Sequence, residues 1–445
     1  MLHTDFQRDT TVTVAQQFLY DRHIFPSRRC ALAMATAVCC AVLQFSGLSH
    51  AQRPDNWGQC EGSNPDQSIA ACTVLIQSGK ESTENMAVAF NSRGIAYDVK
   101  GEHDQAIADF DQAIQFEPDY AGAFSNRANA YAAKGLFDKA FADYNQAIRL
   151  KPDDADALNY RGVAYAIVGR FDQAIADFDR AIQLKPADAG AFNNRGGAYD
   201  SKGEYDRAIA DFDKAIELKP DYAEAFSNRG NAYADQHKFD HAIEDYSQAI
   251  RLNPEDAASL YNRGARYLVN GEFDHAIADF DEAIRLRPEL AEAFNDRGIA
   301  RHDKGQDDQA VADFDQAIRL KPDDAEAYRN RCFSRAIAGD AQSALEDCNQ
   351  SLALRANDAH TLTTRGFVYL KVKNPVAAIA DYNAALAVNP KDASALYGRG
   401  LARQLAGDAA GAAADMNKAR TSEPRVAAQF TKWGVALPKP DRKQQ

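Results

Sequence analysis

Basic residues are in short supply: 51 Lys and Arg stand against 64 Asp and Glu, a formal net charge of −13 over 445 residues. That deficit argues against a phosphate-backbone binder, which needs clustered cations. It also argues against an anionic membrane surface as the main partner. Glycine and proline are sparse as well, 26 and 15 residues, which excludes a collagen-like or low-complexity chain. No CxxC occurs, so neither a zinc ribbon nor a thioredoxin-type redox motif is supported. The chain also lacks a P-loop, a GxGxxG behind a strand, an HExxH and a nucleophile elbow. The expectation is a chain that is not an enzyme, with no catalytic residues, no cofactor, no metal and no nucleic acid partner.

Long apolar runs are missing too, with one exception. Residues 30–48 carry no charge, follow Arg28 and Arg29, and precede Ser49-His50-Ala51. Positive charge, an apolar stretch and small residues at −3 and −1 are the three parts of a secretory signal. Cleavage is expected after Ala51, placing the mature chain in the periplasm or outside the cell without membrane insertion. The alternative is an uncleaved anchor, because about 19 residues just span a bilayer. The polar stretch 1–27 is long for the start of a signal. Cys30, Cys39 and Cys40 fall in this segment, which leaves two local pairs, Cys60/Cys72 and Cys332/Cys348. An even number of cysteines suits an oxidising compartment, and both pairs are disulfide candidates.

What the chain does have is repetition. Ala87, Ala121, Ala155 and seven further alanines, ending at Ala393, advance by 34 residues without insertion or deletion. Ten units therefore fill residues 87–426. The remaining boundaries are an N-terminal extension and signal at 1–51, a capping segment at 52–86, and a capping helix and tail at 427–445. Within each unit position 20 is Ala, position 24 is mostly aromatic, position 32 is Pro in nine units, position 8 is Gly in eight and position 11 is Tyr in seven. In unit 4, Phe192, Arg195, Gly196 and Tyr199 recur at three- and four-residue steps and form one face of a helix. Ala208, Phe212 and Ala215 form the matching face of a second helix. The small residues allow the two backbones to approach, and the rings fill the space beside them. Gly101, Gly135, Gly169 and Gly203 at position 15 supply the left-handed residue that ends the first helix. Asp221 with Glu224, and Asp323 with Glu326, have the spacing of capping boxes.

The frame F/L-x-x-R-G-x-x-Y, A-x-x-x-F-x-x-A, P resembles the tetratricopeptide repeat over ten consecutive copies. The resemblance implies an all-α, right-handed superhelical solenoid of antiparallel helix pairs, whose first helices line a concave groove. Such a stack grows without the size limit of a single core, but it needs ends. Residues 66–76 resemble a second helix offset from the frame by four, pinned by Cys60–Cys72. At the other end Phe430 and Gly434 continue the frame for half a unit, at positions 4 and 8.

Position 7 is Arg and position 23 is Asp in all ten units, among them Arg195 with Asp211 and Arg229 with Asp245. Matched one to one, they read as structural ion pairs that hold the stacking register. Position 6 carries Asn126, Asn194, Asn228, Asn262 and Asn330, and position 5 adds Asn91, Asn159, Asn193 and Asn295. This is similar to the asparagine ladder of peptide-clamping members of the family. A carboxamide offers one acceptor and two donors, so it can hold a peptide backbone without reading side chains. Ser92, Tyr160, Asp296, Thr364 and Gly398 interrupt the ladder. The groove positions 2 and 12 carry Asp98, Asp156, Asp200, Glu224 and Glu292 rather than the cations with which chaperone-binding members hold a carboxyl terminus. The expected partners are therefore proteins offering basic or neutral peptide segments. His237, His241 and His275 lie near one edge and are read as exposed histidines. The expected function is a non-enzymatic scaffold of the cell envelope that binds extended segments in its groove. The alternative is a regulatory or assembly subunit of an envelope enzyme complex, docking through the convex face.

Overall fold

The computed structural model describes residues 55–435. The apolar segment 30–48 and the expected cleavage point at Ala51 lie outside the described residues. Among the described residues there are 23 α-helices and no strand. Each repeat unit is a hairpin of a first (A) and a second (B) helix; in unit 4 these are Ala189–Ser201 and Tyr205–Leu218. Thirty-four residues on, the pattern returns as Ala223–Asp235 and Phe239–Leu252.

The turn inside each hairpin requires a left-handed residue at position 15. Gly203 has φ 75, and the next amide, Glu204, donates to the Tyr199 carbonyl at 2.9 Å, which closes the end of the A helix. The requirement holds even where glycine is absent. His237 in unit 5 and Lys373 in unit 9 both take φ 58, a conformation that costs an L-residue about 1–2 kcal/mol.

The A helices start one residue later than the capping-box spacing suggests. Asp154, Asp188, Asp256, Asp324, Asp358 and Asp392, each directly before its helix, accept from backbone N–H groups of the first turn. Asp323 is not the cap of Ala325–Ala338, and Asp221 caps nothing either: the residue before Ala223 is Tyr222, which makes no side-chain cap. The reason is reach, since a carboxylate satisfies the N2 and N3 amides only from the residue that immediately precedes the helix.

Contact across the hairpin explains the small residues. A Cβ on Gly196 would lie 2.7 Å from Cε1 of Phe212, whose ring is wholly buried. Unit 8 solves the same contact with a bond: Cys332 and Cys348 occupy positions 8 and 24 and are joined, with their Cα atoms 5.5 Å apart. Unit 10 places Gly400 against Met416.

The described chain forms two compact bodies that divide between Asn253 and Pro254. The first begins with helices Asp55–Cys60 and Pro65–Ser78, joined by the Cys60–Cys72 disulfide over buried Trp57, Leu75 and Ala89. Pro65–Ser78 stands in for a preceding B helix: Nη1 of Arg93 donates to Thr73 Oγ1 at 3.0 Å, where later arginines reach position 25 of the unit before. In frame, that seat would fall at residue 77, so the four-residue offset is visible in the contact. The second body ends in helix Val426–Lys432. This segment does not extend the stack forward. Trp433 packs against Phe333 and Phe367, with centroids 5.1 and 5.7 Å apart, and Phe430 packs against Tyr397 and Phe367. Nζ of Lys371 donates to the Trp433 carbonyl at 3.1 Å. Phe333 and Phe367 sit at position 9 of units 8 and 9, so the terminal segment runs back along the A helices, where four rings pack edge-on or tilted against one another.

Within each body the A helices of neighbouring units touch one another, for instance in units 8 and 9, whereas B helices make no comparable contact. The row of A helices is therefore the tighter, inner side of each body.

Candidate protein-binding face

The arginine at position 7 is a three-helix staple. In unit 4, Nε and Nη2 of Arg195 donate to the two carboxylate oxygens of Asp211 at 2.7 and 2.6 Å, and Nη1 donates to Asp179 of unit 3 at 2.6 Å. Arg229 does the same with Asp245 and with Asp213 of unit 4. The bidentate contact fixes the guanidinium plane, and the third contact fixes the next unit. Hydrogen bonds donated to Asp211 and Asp245 raise the two arginines above their ordinary pKa and outweigh the effect of burial. Where position 25 is Asn, as at Asn145 beneath Arg161, the third partner is a neutral carbonyl. These arginines are engaged with the protein itself and do not present a basic stripe.

The asparagines are also engaged with one another. Nδ2 of Asn126 donates to Asn91 Oδ1 at 3.0 Å, Asn194 to Asn159 at 3.1 Å, Asn228 to Asn193 at 3.0 Å and Asn330 to Asn295 at 3.0 Å. In these four pairs position 6 of one unit binds position 5 of the unit before. In unit 7 the link takes another form, with the Tyr261 hydroxyl donating to Asp296 Oδ2 at 2.7 Å. Asn262 is half-buried at position 6 of unit 6. Each link uses one N–H of the position-6 amide and sets its rotamer. Asn194 and Asn228 are buried and Asn126 and Asn330 half-buried, so the ladder lies in the seam between A helices.

The acidic residues of this face differ in their partners. Asp98 bonds Nδ1 of His103 at 2.7 Å, and Asp156 binds Nζ of Lys185 at 2.7 Å. Asp200 in unit 4 has no such partner: it is 7% exposed, and its Oδ1 is buried without a hydrogen bond. Burial, aided by the charge of Asp235, pushes its carboxyl up to about 7. Sequence reasoning placed Asp200 on this face but had no means of seeing that it is unsatisfied. Two of the histidines pack tilted against tyrosines, His241 on Tyr233 and His275 on Tyr267, with ring centroids 5.1 Å apart in both cases, and His237 meets Phe239 edge-on. Among the described residues no helix is long and apolar enough to cross a membrane.

The sequence matches family models described as TPR repeat at residues 94–135, 198–237 and 298–333, and as tetratricopeptide repeat at 128–192, 223–256, 257–290 and 365–426. No curated protein matches it. Among solved structures the chain is similar to YrrB, a TPR protein with an unusual peptide-binding site, at 24% identity, TM-score 0.37, over 41% of this chain and 95% of that one. It is similar to pilF of Pseudomonas aeruginosa at 20% identity, TM-score 0.43, over 47% of this chain and 95% of that one. The assembly of Cut9 with Hcn1 contains a chain of 17% identity and TM-score 0.47, matched over 95% of this chain and 92% of that one. The 34-residue hairpins, their Gly–aromatic contact and the matched segments, which together cover more than half of the sequence, lead to one conclusion: this chain belongs to the tetratricopeptide repeat family, whose members are generally non-catalytic scaffolds that bind other proteins.

Proposed function

We propose that the chain holds an extended, basic segment of a partner protein on the A-helix face of units 3–5. The supporting observation is Asp200, a buried carboxylate with an unsatisfied oxygen on that face, beside Asp235. Such a group is costly until a cation or donor reaches it. Around it, Asn194 and Asn228 each commit one N–H to the seam, which fixes the amide's orientation, and Asn194 retains a carbonyl oxygen and a second N–H. Those groups suit a peptide backbone, while Asp200 with Asp235 selects a Lys or Arg side chain. The B-helix face offers no comparable unsatisfied group among the described residues, which favours this reading over docking through that side.

The test is a synthetic peptide array probed with the purified protein, its Asp200→Asn variant and an Asn194→Ala, Asn228→Ala variant. Basic peptides are expected to dominate on the parent. Asp200→Asn should remove that preference, and the double variant should weaken all binders alike. An array without enrichment, or one that Asp200→Asn leaves unchanged, refutes the reading.

Export belongs to the same proposal, supported by the charged-apolar-small pattern at 28–51 and by two disulfides in the chain beyond it. Mass spectrometry of the protein from its own cells should find a new N-terminus after Ala51 and both bonds oxidised. An intact N-terminus would favour the anchored form, and free thiols would remove the argument from the compartment.

A further inference from the structure

The backward course of the C-terminal segment creates a cavity of about 290 Å³ in the second body. Its walls come from three places in the chain: His302 and Asp303 of unit 7, Ile337 of unit 8, and Gln429, Lys432 and Trp433 of the terminal segment. Two of the lining residues, Asp303 and Gln429, each carry an acceptor oxygen, Oδ2 and Oε1, that is buried without a hydrogen-bond partner. The Gln429 amide donates to the Glu423 carboxylate, and its carbonyl oxygen is the atom without a partner. His302 is already occupied, with Nδ1 2.5 Å from Asp307 Oδ1 and 3.1 Å from Ser334 Oγ. Native proteins rarely leave two buried acceptors unfilled, and when they sit in one cavity the missing element is a donor.

We propose that this cavity is a binding site for a cationic amine: the ammonium donates to Asp303 and Gln429 while its aliphatic stem lies against Ile337 and Trp433. A carboxylate, a carbonyl and an indole are the three groups that hold such a ligand, by charge, by hydrogen bond and by ring face. The ligand is either the lysine side chain of a bound protein or a small free amine; both present the same chemistry. The site lies outside units 3–5 and does not depend on the function proposed for them. Lys432 is exposed, makes no ion pair among the described residues, and is the lysine of the cavity lining that could compete. The groups facing Asp303 are His302 and Lys432, which favour its ionised form, and Asp307, which opposes it; burial outweighs all three and pushes its carboxyl up to about 6.

Calorimetric titration of the full chain tests the site with N-acetyl-lysine methylamide, its uncharged norleucine counterpart and 1,4-diaminobutane. The lysine derivative should bind, the norleucine derivative about tenfold more weakly or not at all, and Asp303→Asn should weaken the lysine derivative about tenfold or more. Lys432→Gln should bind it at least as tightly as the parent. Affinity should fall as pH drops through 6, since the cation needs the carboxylate. A diamine that outbinds the lysine derivative identifies a free amine as the ligand, and the reverse order identifies a side chain. Binding by Lys432→Gln alone also supports the site, with Lys432 as its tethered occupant. Equal binding of the norleucine derivative, or binding undiminished in Asp303→Asn, overturns the proposal. So does a lack of binding by both the parent and Lys432→Gln at about 10 mM ligand. Circular dichroism of each variant separates loss of the site from loss of the fold.

Discussion

Two substitutions that look identical in the repeat frame should differ in cost. Asp177→Asn and Asp211→Asn both neutralise position 23 beneath the arginine staple. Arg161 would then face two amides, the new one and Asn145, which accepts its Nη1 at 2.7 Å, and it would keep no counter-charge. Arg195 would keep Asp179 at 2.6 Å. The two sites are otherwise matched: the arginine side chains are 18% and 19% exposed, and the aspartates are 9% exposed in both. A charge-assisted hydrogen bond is worth about 1.5–3 kcal/mol, and a fully buried unpaired charge costs about 3–5 kcal/mol. Partial exposure lowers both figures. The expectation is a loss of about 2 kcal/mol for Asp177→Asn and about 1 kcal/mol for Asp211→Asn. Urea titration followed by circular dichroism measures the difference. Hydrogen exchange locates it, because a repeat stack opens locally and the amides of units 2–4 should respond first. Equal losses at the two sites, or losses below about 0.5 kcal/mol as at exposed pairs, would refute the staple as the source of register.

Three further outcomes follow from the same geometry. His237→Gly removes a left-handed strain at φ 58 and should stabilise the chain by about 1 kcal/mol in a urea melt; no gain would mean that His237's own contacts outweigh the strain. Asp200 ionises near 7 in the folded chain but near 4 when unfolded. Folding therefore retains a proton between those values, and stability falls as pH rises from 4 to 7. Asp200→Asn should accordingly gain about 2 kcal/mol over the parent at pH 8 and almost nothing at pH 4, read from paired melts; a gain independent of pH would show that the carboxyl is ordinary. Removing the Cys332–Cys348 bond by double alanine should cost about 3 kcal/mol, as expected for a closed loop of this length, 16 residues apart in sequence. Cys332→Gly with Cys348→Phe, the pairing of the other units, should recover most of that loss in the same assay, provided that positions 8 and 24 form one interchangeable contact.

Much of the site was legible in the sequence once the period was known, though one signal went unused. Asn at position 5 occurs in units 1, 3, 4 and 7, and each is followed 35 residues later by Asn at position 6. That spacing encodes a bond between units, and the structure forms it each time. Read as separate columns, the same residues suggested an open polar lining. The capping aspartates were misplaced by one residue because Asp occurs at position 33 in some units, at position 34 in others and at both in two, as at Asp153 and Asp154, and composition alone does not say where the first turn begins.

The sequence by itself determined the hairpin, its length, its turn and its internal contact, because each depends on residues within one 34-residue period. Glycine at 8 admits the ring at 24, and a left-handed residue at 15 closes the turn. Tertiary structure alone decided what breaks the period. The terminal segment had the right residues in frame to continue the stack, with Phe430 at position 4. It turned back because Phe333 and Phe367, three and two units earlier, offered ring surface that a solvent-facing extension would have left wet. The same holds for Asp200 and Asp303: a carboxylate announces its charge in the sequence, but whether water reaches it depends on neighbours far along the chain.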